Sequence, residues 1–115
     1  MLVYDLELNQ GDTQEVGMLL KDKGVGVDLT GSTVTFSMKN EVGSEFDIAC
    51  GQGGTVNGQF YTFAQGGITV TFTTAHTGAA DVFQGKVCAV KGTLQKTFPD
   101  KNKYITVKVW EAIKQ

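Results

Sequence analysis

Two antiparallel sheets packed face to face, an all-β sandwich, are what this sequence predicts, and three observations carry the prediction. Apolar and polar residues alternate with a period of two in segment after segment, as in strands buried on one face. No segment repeats apolar residues at the helical spacing i, i+3, i+4, i+7. The chain holds 15 glycines and a single proline, a balance that suits turns and bulges more than linkers. Its 115 residues suffice for one domain, residues 1–115. A domain of this size buries roughly two thirds of the surface its unfolded chain exposes, enough for a core without disulfide or metal.

The elements follow in order. "LVYDLELN" predicts a first strand with Leu2, Tyr4, Leu6 and Leu8 on one face, and Asp5 and Glu7 turned to solvent. "EVGMLL" predicts a short second strand. "KGVGVDLTG" (Lys23–Gly31) is a corner leading into a strand. Gly24 and Gly26 allow a tight or bulged approach, and the Asp28 carboxylate can accept backbone N–H bonds. Leu29 tucks under the sandwich, and Gly31 permits positive φ. "STVTFSMKN" puts Val34, Phe36 and Met38 inward. Weaker strands are expected around "EFDIA" and "GQFYTFA". The "GQGGT" of residues 51–55 reads as a flexible loop, and Asn57–Gly58 as a hairpin turn. "GITVTFTT" buries Ile68, Val70 and Phe72. "VFQGKVCAV" buries Phe83, Val87 and Ala89, with Cys88 as a small strand residue. Pro99 pre-sets the turn of a hairpin joining "LQKTF" to "KYITVKVWEAI", whose Ile105, Val107 and Val109 point inward.

Seven to nine short strands result. One-sided alternation leaves each sheet with one packed and one wet face, which a sandwich satisfies; a closed barrel is the main competitor. Where an immunoglobulin domain carries its disulfide, this chain has Phe36 and Val87, and Trp110 stands on the last strand. The fold is therefore immunoglobulin-like only in the broad sense.

No chemical template fits. In "KGVGVDLTG", Leu29 occupies the place of the last glycine of a dinucleotide fingerprint, and a strand follows where a helix is required. A phosphate loop needs Lys before Ser or Thr, and a calcium loop needs alternating carboxylates where only Asp28 is present. Cys50, Cys88 and the single His76 are too few for a metal cluster. His76 lies in a polar connection with no committed partner, and no nucleophile elbow frames a serine. These readings imply no enzyme, no catalytic residue, no metal and no cofactor. All ten cations are lysines and the net charge is −2, which argues against nucleic acid, where bidentate Arg contacts are usual. No run is long and apolar enough for a membrane helix. The first residues lack a signal peptide, so synthesis and residence in the cytoplasm are expected.

Charge is distributed unevenly. Residues 1–47 hold nine acids and three lysines, whereas residues 86–115 hold seven lysines and two acids. Either the first and last strands lie side by side and attract each other, or copies and partners meet through complementary faces. If the last strands are neighbours, Lys86, Tyr104, Lys108 and Trp110 share an outer face. Exposed aromatics beside lysines can grip a sugar ring or a protein; alternatively, Trp110 only covers a sheet edge.

Four pieces in this order complete the reading: "NQGDT", "GVGVDLTGSTVTFSMKN", "GGITVTFTTAHTG" and "VFQGKVCAVKGTLQKTFPDKNKYITVKV". Together they resemble the N-terminal domain of the baseplate upper protein (BppU) family of tailed bacteriophages, a small immunoglobulin-like sandwich of virion tails. The resemblance covers nearly the whole chain. It implies a non-enzymatic structural protein, made in the host cytoplasm and incorporated in the virion. Such a protein docks on or joins tail, baseplate, fibre or head components, in several copies of a symmetric assembly. Family members often continue into a receptor-facing or fibre-linking portion, whereas this sequence stops after one domain, so a free-standing structural or adaptor role is expected. A carbohydrate-binding module using Tyr104, Trp110 and Tyr61 is the alternative reading. A secreted adhesion domain is a third, which the missing signal peptide counts against.

Overall fold

The computed structural model describes residues 5–22, 24–78, 80–98 and 105–111. Along them run β1 (Asp5–Asn9), β2 (Gln14–Leu19), β3 (Lys21–Asp22), β4 (Val25–Gly26), β5 (Thr33–Lys39), β6 (Glu45–Ala49) and β7 (Gly51–Gln52). There follow β8 (Gly54–Val56), β9 (Gln59–Tyr61), a 3₁₀ turn (Phe63–Gln65), β10 (Gly67–Phe72), β11 (Asp81–Lys91), β12 (Leu94–Phe98) and β13 (Ile105–Trp110). The excess over the expected seven to nine strands comes from pieces of two or three residues: β3, β4, β7, β8 and β9.

The strands form a β-sandwich. Its larger sheet has the order β1-β13-β11-β5-β6, with β12 also on β11, and its smaller sheet the order β2-β10-β7. Alternation decides which side chains meet between them. Val34, Phe36, Met38, Phe83, Val87, Ala89, Ile105, Val107 and Val109 are buried from the larger sheet, and Met18, Ile68, Val70 and Phe72 from the smaller. The Phe36 and Phe72 rings meet edge-on at 5.8 Å, a favoured aromatic geometry. On β11, Gly85 makes room for the Phe36 ring, since a Cβ there would sit 2.5 Å from the ring tip.

The corner before β5 forms as its residues dictate. The Asp28 carboxylate accepts the Thr30 N–H at 3.0 Å, Leu29 is buried, and Gly31 takes φ +80°. β3 and β4 make a small ribbon there. Asn57 (φ +52°) and Gly58 (φ +81°) turn β8 into β9, as a two-residue hairpin with positive φ at both corners requires.

Four expectations are corrected. β1 pairs with β13 in parallel, placing Glu7 beside Lys108, so the larger sheet is mixed. The turn after β1 carries the chain to the other sheet, so β1 has no hairpin partner and joins the last strand, whose direction β11 has already fixed. This pairing lays the first strand beside the last, one of the two arrangements that the uneven charge suggested.

The hairpin between β12 and β13 is not formed: both strands pair antiparallel with β11, one after the other along the same edge. Val87 faces Phe98, and Gly85 faces Ile105. The alternation of β11 continues through both pairings, so the two short strands serve one long one. Pro99, assigned to that turn, lies outside the described residues, as do Leu2 and Tyr4 of the first strand.

Residues 51–55 are not a loose loop. Gly51–Gln52 pairs with β10, and Gly54–Val56 begins the β8–β9 hairpin, which lies across the outer face of the smaller sheet. A Cβ on Gly17 would collide with the Thr55 backbone, and one on Gly54 with the Ile68 carbonyl. Gly53 N–H donates to the Gly67 carbonyl at 3.0 Å, and the Thr69 hydroxyl to that of Gly53 at 2.7 Å. Backbones approach closely there because neither side carries a side chain between them.

The fourth correction concerns His76. Its Nδ1 accepts the Thr73 N–H at 3.0 Å, and its ring meets Phe46 edge-on at 5.3 Å. The polar connection thus commits its histidine to a packed corner.

Candidate functional site

The two sheets differ in what covers their outer sides. The smaller lies under its own hairpin, while the outer face of the larger stays open and polar. Register places Lys39, Ser37 and Thr35 of β5 across from Gln84, Lys86 and Cys88 of β11. On the other side of β5 they face Glu45, Asp47 and Ala49 of β6. The Ser37 hydroxyl donates to Asp47 at 2.6 Å, and Lys39 stands 3.5 Å from Glu45. Between them lies a shallow open depression of about 500 Å³, lined by Ser37, Lys39, Glu45, Asp47, Gln84 and Lys86 among others. An exposed ion pair of this kind contributes at most about 1 kcal/mol and is screened by salt.

Lys108 and Trp110 occupy the same face at the β1 side. The Lys108 ammonium stands 3.7 Å from the indole centroid, and the indole N–H donates to Glu7 at 3.2 Å. Trp110 remains 45% exposed, beside a 47% exposed Val82. Register sets Val82 against Lys108, so an apolar spot lies within a charged surround. Through its bond to Glu7 the indole reaches from β13 to β1, the edge strand of the sheet. Lys86, Lys108 and Trp110 do share the outer face. Tyr104, the fourth expected member, lies outside the described residues. Glu7 was expected only to be solvated; its partnership with Trp110 depends on the parallel pairing, which alternation does not encode.

Tyr61 belongs to the β8–β9 hairpin on the opposite side of the sandwich, so it cannot join Trp110 in one sugar-binding platform. Among the described residues, no cluster of three or more His, Cys, Asp and Glu side chains could hold a metal ion, and no helix is long and apolar enough to cross a membrane. Burial pushes the Cys50 thiol up to about 11, so it is protonated at neutral pH and a poor nucleophile. Hydrogen bonds from Thr30 hold the Asp28 carboxyl below its ordinary value.

These features define a class: a small β-sandwich domain that presents one open sheet face and seals the other with its own chain. No family model matches the chain, and no curated protein matches its sequence. Among solved structures, the N-terminal domain of ORF48 of phage TP901-1 is similar, with a TM-score of 0.54, 11% identity, and coverage of 95% of this chain and 83% of that chain. At that identity the likeness is one of fold. It is to a phage protein's domain and does not single out the baseplate upper protein family.

Proposed function

We propose that this chain is a non-enzymatic structural protein of a tailed-phage virion, docking as an adaptor in the tail or baseplate region through the open face of its larger sheet. The observation that carries the reading is the fold shared with a phage protein's N-terminal domain over nearly the whole chain. The four sequence pieces support it from another side, because two of them meet in space. The turn in "NQGDT" and the turn in "TTAHTG" are joined by Gly11 N–H to the Thr77 carbonyl at 2.9 Å and by the Thr77 hydroxyl to the Asp12 carbonyl at 2.8 Å. Lys86, Lys108 and Trp110 mark the docking face, with an exposed aromatic at one end and alternating charges at the other, as protein interfaces use.

Docking in several copies follows from the symmetry of virions. Mass spectrometry of purified particles should detect the chain at a stoichiometry above one per particle. Its absence from purified particles would remove the proposal.

A further inference from the structure

The 73–78 turn, whose Thr77 and Gly78 bind the 9–13 turn, is braced from within by one imidazole. His76 Nδ1 accepts the Thr73 N–H at 3.0 Å, so the neutral ring carries its proton on Nε2. The same turn is closed by the Thr73 carbonyl, which accepts the His76 and Thr77 N–H groups at 2.9 and 3.1 Å. Thr77 is fully buried, and its hydroxyl reaches the Asp12 carbonyl at 2.8 Å. Gln10 Nε2 donates to the Gly78 carbonyl at 3.0 Å. The imidazole is wedged edge-on against Phe46 at 5.3 Å and Phe72 at 6.3 Å, so it cannot swing away without leaving that contact.

Among the described residues, neither of the two ion pairs, Lys39–Glu45 and Lys96–Asp22, involves the imidazole, and Asp12 is the carboxylate carried by the facing 9–13 turn. Phe46 stands on β6 between Glu45 and Asp47, which turn to the opposite face towards Lys39 and Ser37. β10 supplies no charged residue. The 9–13 turn contributes a backbone carbonyl of Asp12, and Asp81 is bound by the Asn40 amide at 2.7 Å. Burial alone moves the His76 pKa, downward from 6.5.

We propose that His76 makes this end of the sandwich a pH-operated joint. Protonation places a second N–H on Nδ1, donor against the Thr73 N–H and left with only the Thr73 hydroxyl, 3.3 Å away, to accept it; the turn loses its brace, and with it the setting of Thr77 against the 9–13 turn. The sign follows from the depressed value. The unfolded chain takes up the proton first as pH falls, so stability drops from near the unfolded pKa down to the folded one and is level on either side.

Only one histidine is present, so its NMR signals are unambiguous. At neutral pH the Nε2–H tautomer should be seen. Between about pH 7.5 and about pH 5, the amides of Thr73, Thr77 and Gly11 should lose exchange protection beyond any change in the amides of β5 and β11. In His76→Gln, whose side-chain oxygen can accept the Thr73 N–H without titrating, that selective loss should vanish. An Nδ1–H tautomer in the parent at neutral pH, or the same selective loss in both proteins, would overturn the proposal.

Discussion

Two glycines in look-alike stretches of this chain, Gly31 and Gly54, do different work. In residues 24–31, Gly31 supplies a backbone angle: φ +80° in a corner whose partners, Asp28 and Thr30, are adjacent in the chain. In residues 51–58, Gly54 supplies space: its missing side chain lets the backbone lie against the Ile68 carbonyl, while Gly17 admits Thr55. The first role is local and can be inferred from neighbours; the second depends on a residue more than a dozen positions away. The difference also accounts for the two faces of the molecule. The space-making glycines let a hairpin seal the smaller sheet, and the outer face of the larger sheet is left open.

Breaking the crossing should have the largest effect. Gly17→Val forces a branched side chain into the Thr55 backbone and should cost about 3 kcal/mol or more in denaturant unfolding. The exchange protection of β8 and β9 should be lost well before that of β5. A change below about 1 kcal/mol would mean the hairpin does not rest on β2 as described.

Next in size is Gly31→Val. A β-branched residue at φ +80° should cost about 1–2 kcal/mol, with the hairpin over the smaller sheet left in place. Equal losses of hairpin protection from both substitutions would erase the distinction between angle and space.

Cys50 sits where the chain leaves the larger sheet for the smaller, between β6 and β7. Its thiol, pushed up to about 11, should react with iodoacetamide far more slowly in the folded protein than in denaturant. The Gly17→Val crossing variant should recover part of the lost rate. Site-resolved mass mapping separates it from Cys88.

Asp28→Ala should have the smallest effect, a slight fall in melting temperature at neutral pH. Because the folded carboxyl titrates below its ordinary 3.8, its contribution is complete above that value. It fades as pH falls through the folded pKa, so parent and variant should converge in acid. A difference that persists undiminished in acid would assign the role of Asp28 to something other than its charge.

The same contrast explains how much could be read beforehand. The inward sets on β5, β10, β11 and β13 follow from alternation alone, because which face a residue takes is local. Leu29, Gly31 and Asn57–Gly58 were legible for the same reason. Illegible were the features that need a distant partner: the parallel sense and register of the β1–β13 contact that give Trp110 its Glu7, the single edge of β11 shared by β12 and β13, and the hairpin over β2. The doublets Gly53–Gly54 and Gly66–Gly67, which meet through a 3.0 Å hydrogen bond, were the one available signal of that crossing. His76 was missed because its partners are a backbone amide three residues back and a ring on β6.

Docking in the virion through the open face of the larger sheet, as proposed, can be tested directly. The direct measurement is incorporation into particles of a Lys86→Glu, Lys108→Glu double variant, supplied to a phage lacking the parent gene and quantified by mass spectrometry. With a melting temperature and spectrum near those of the parent, the variant should be strongly depleted from particles. Incorporation at the parent level by the folded variant would contradict the account.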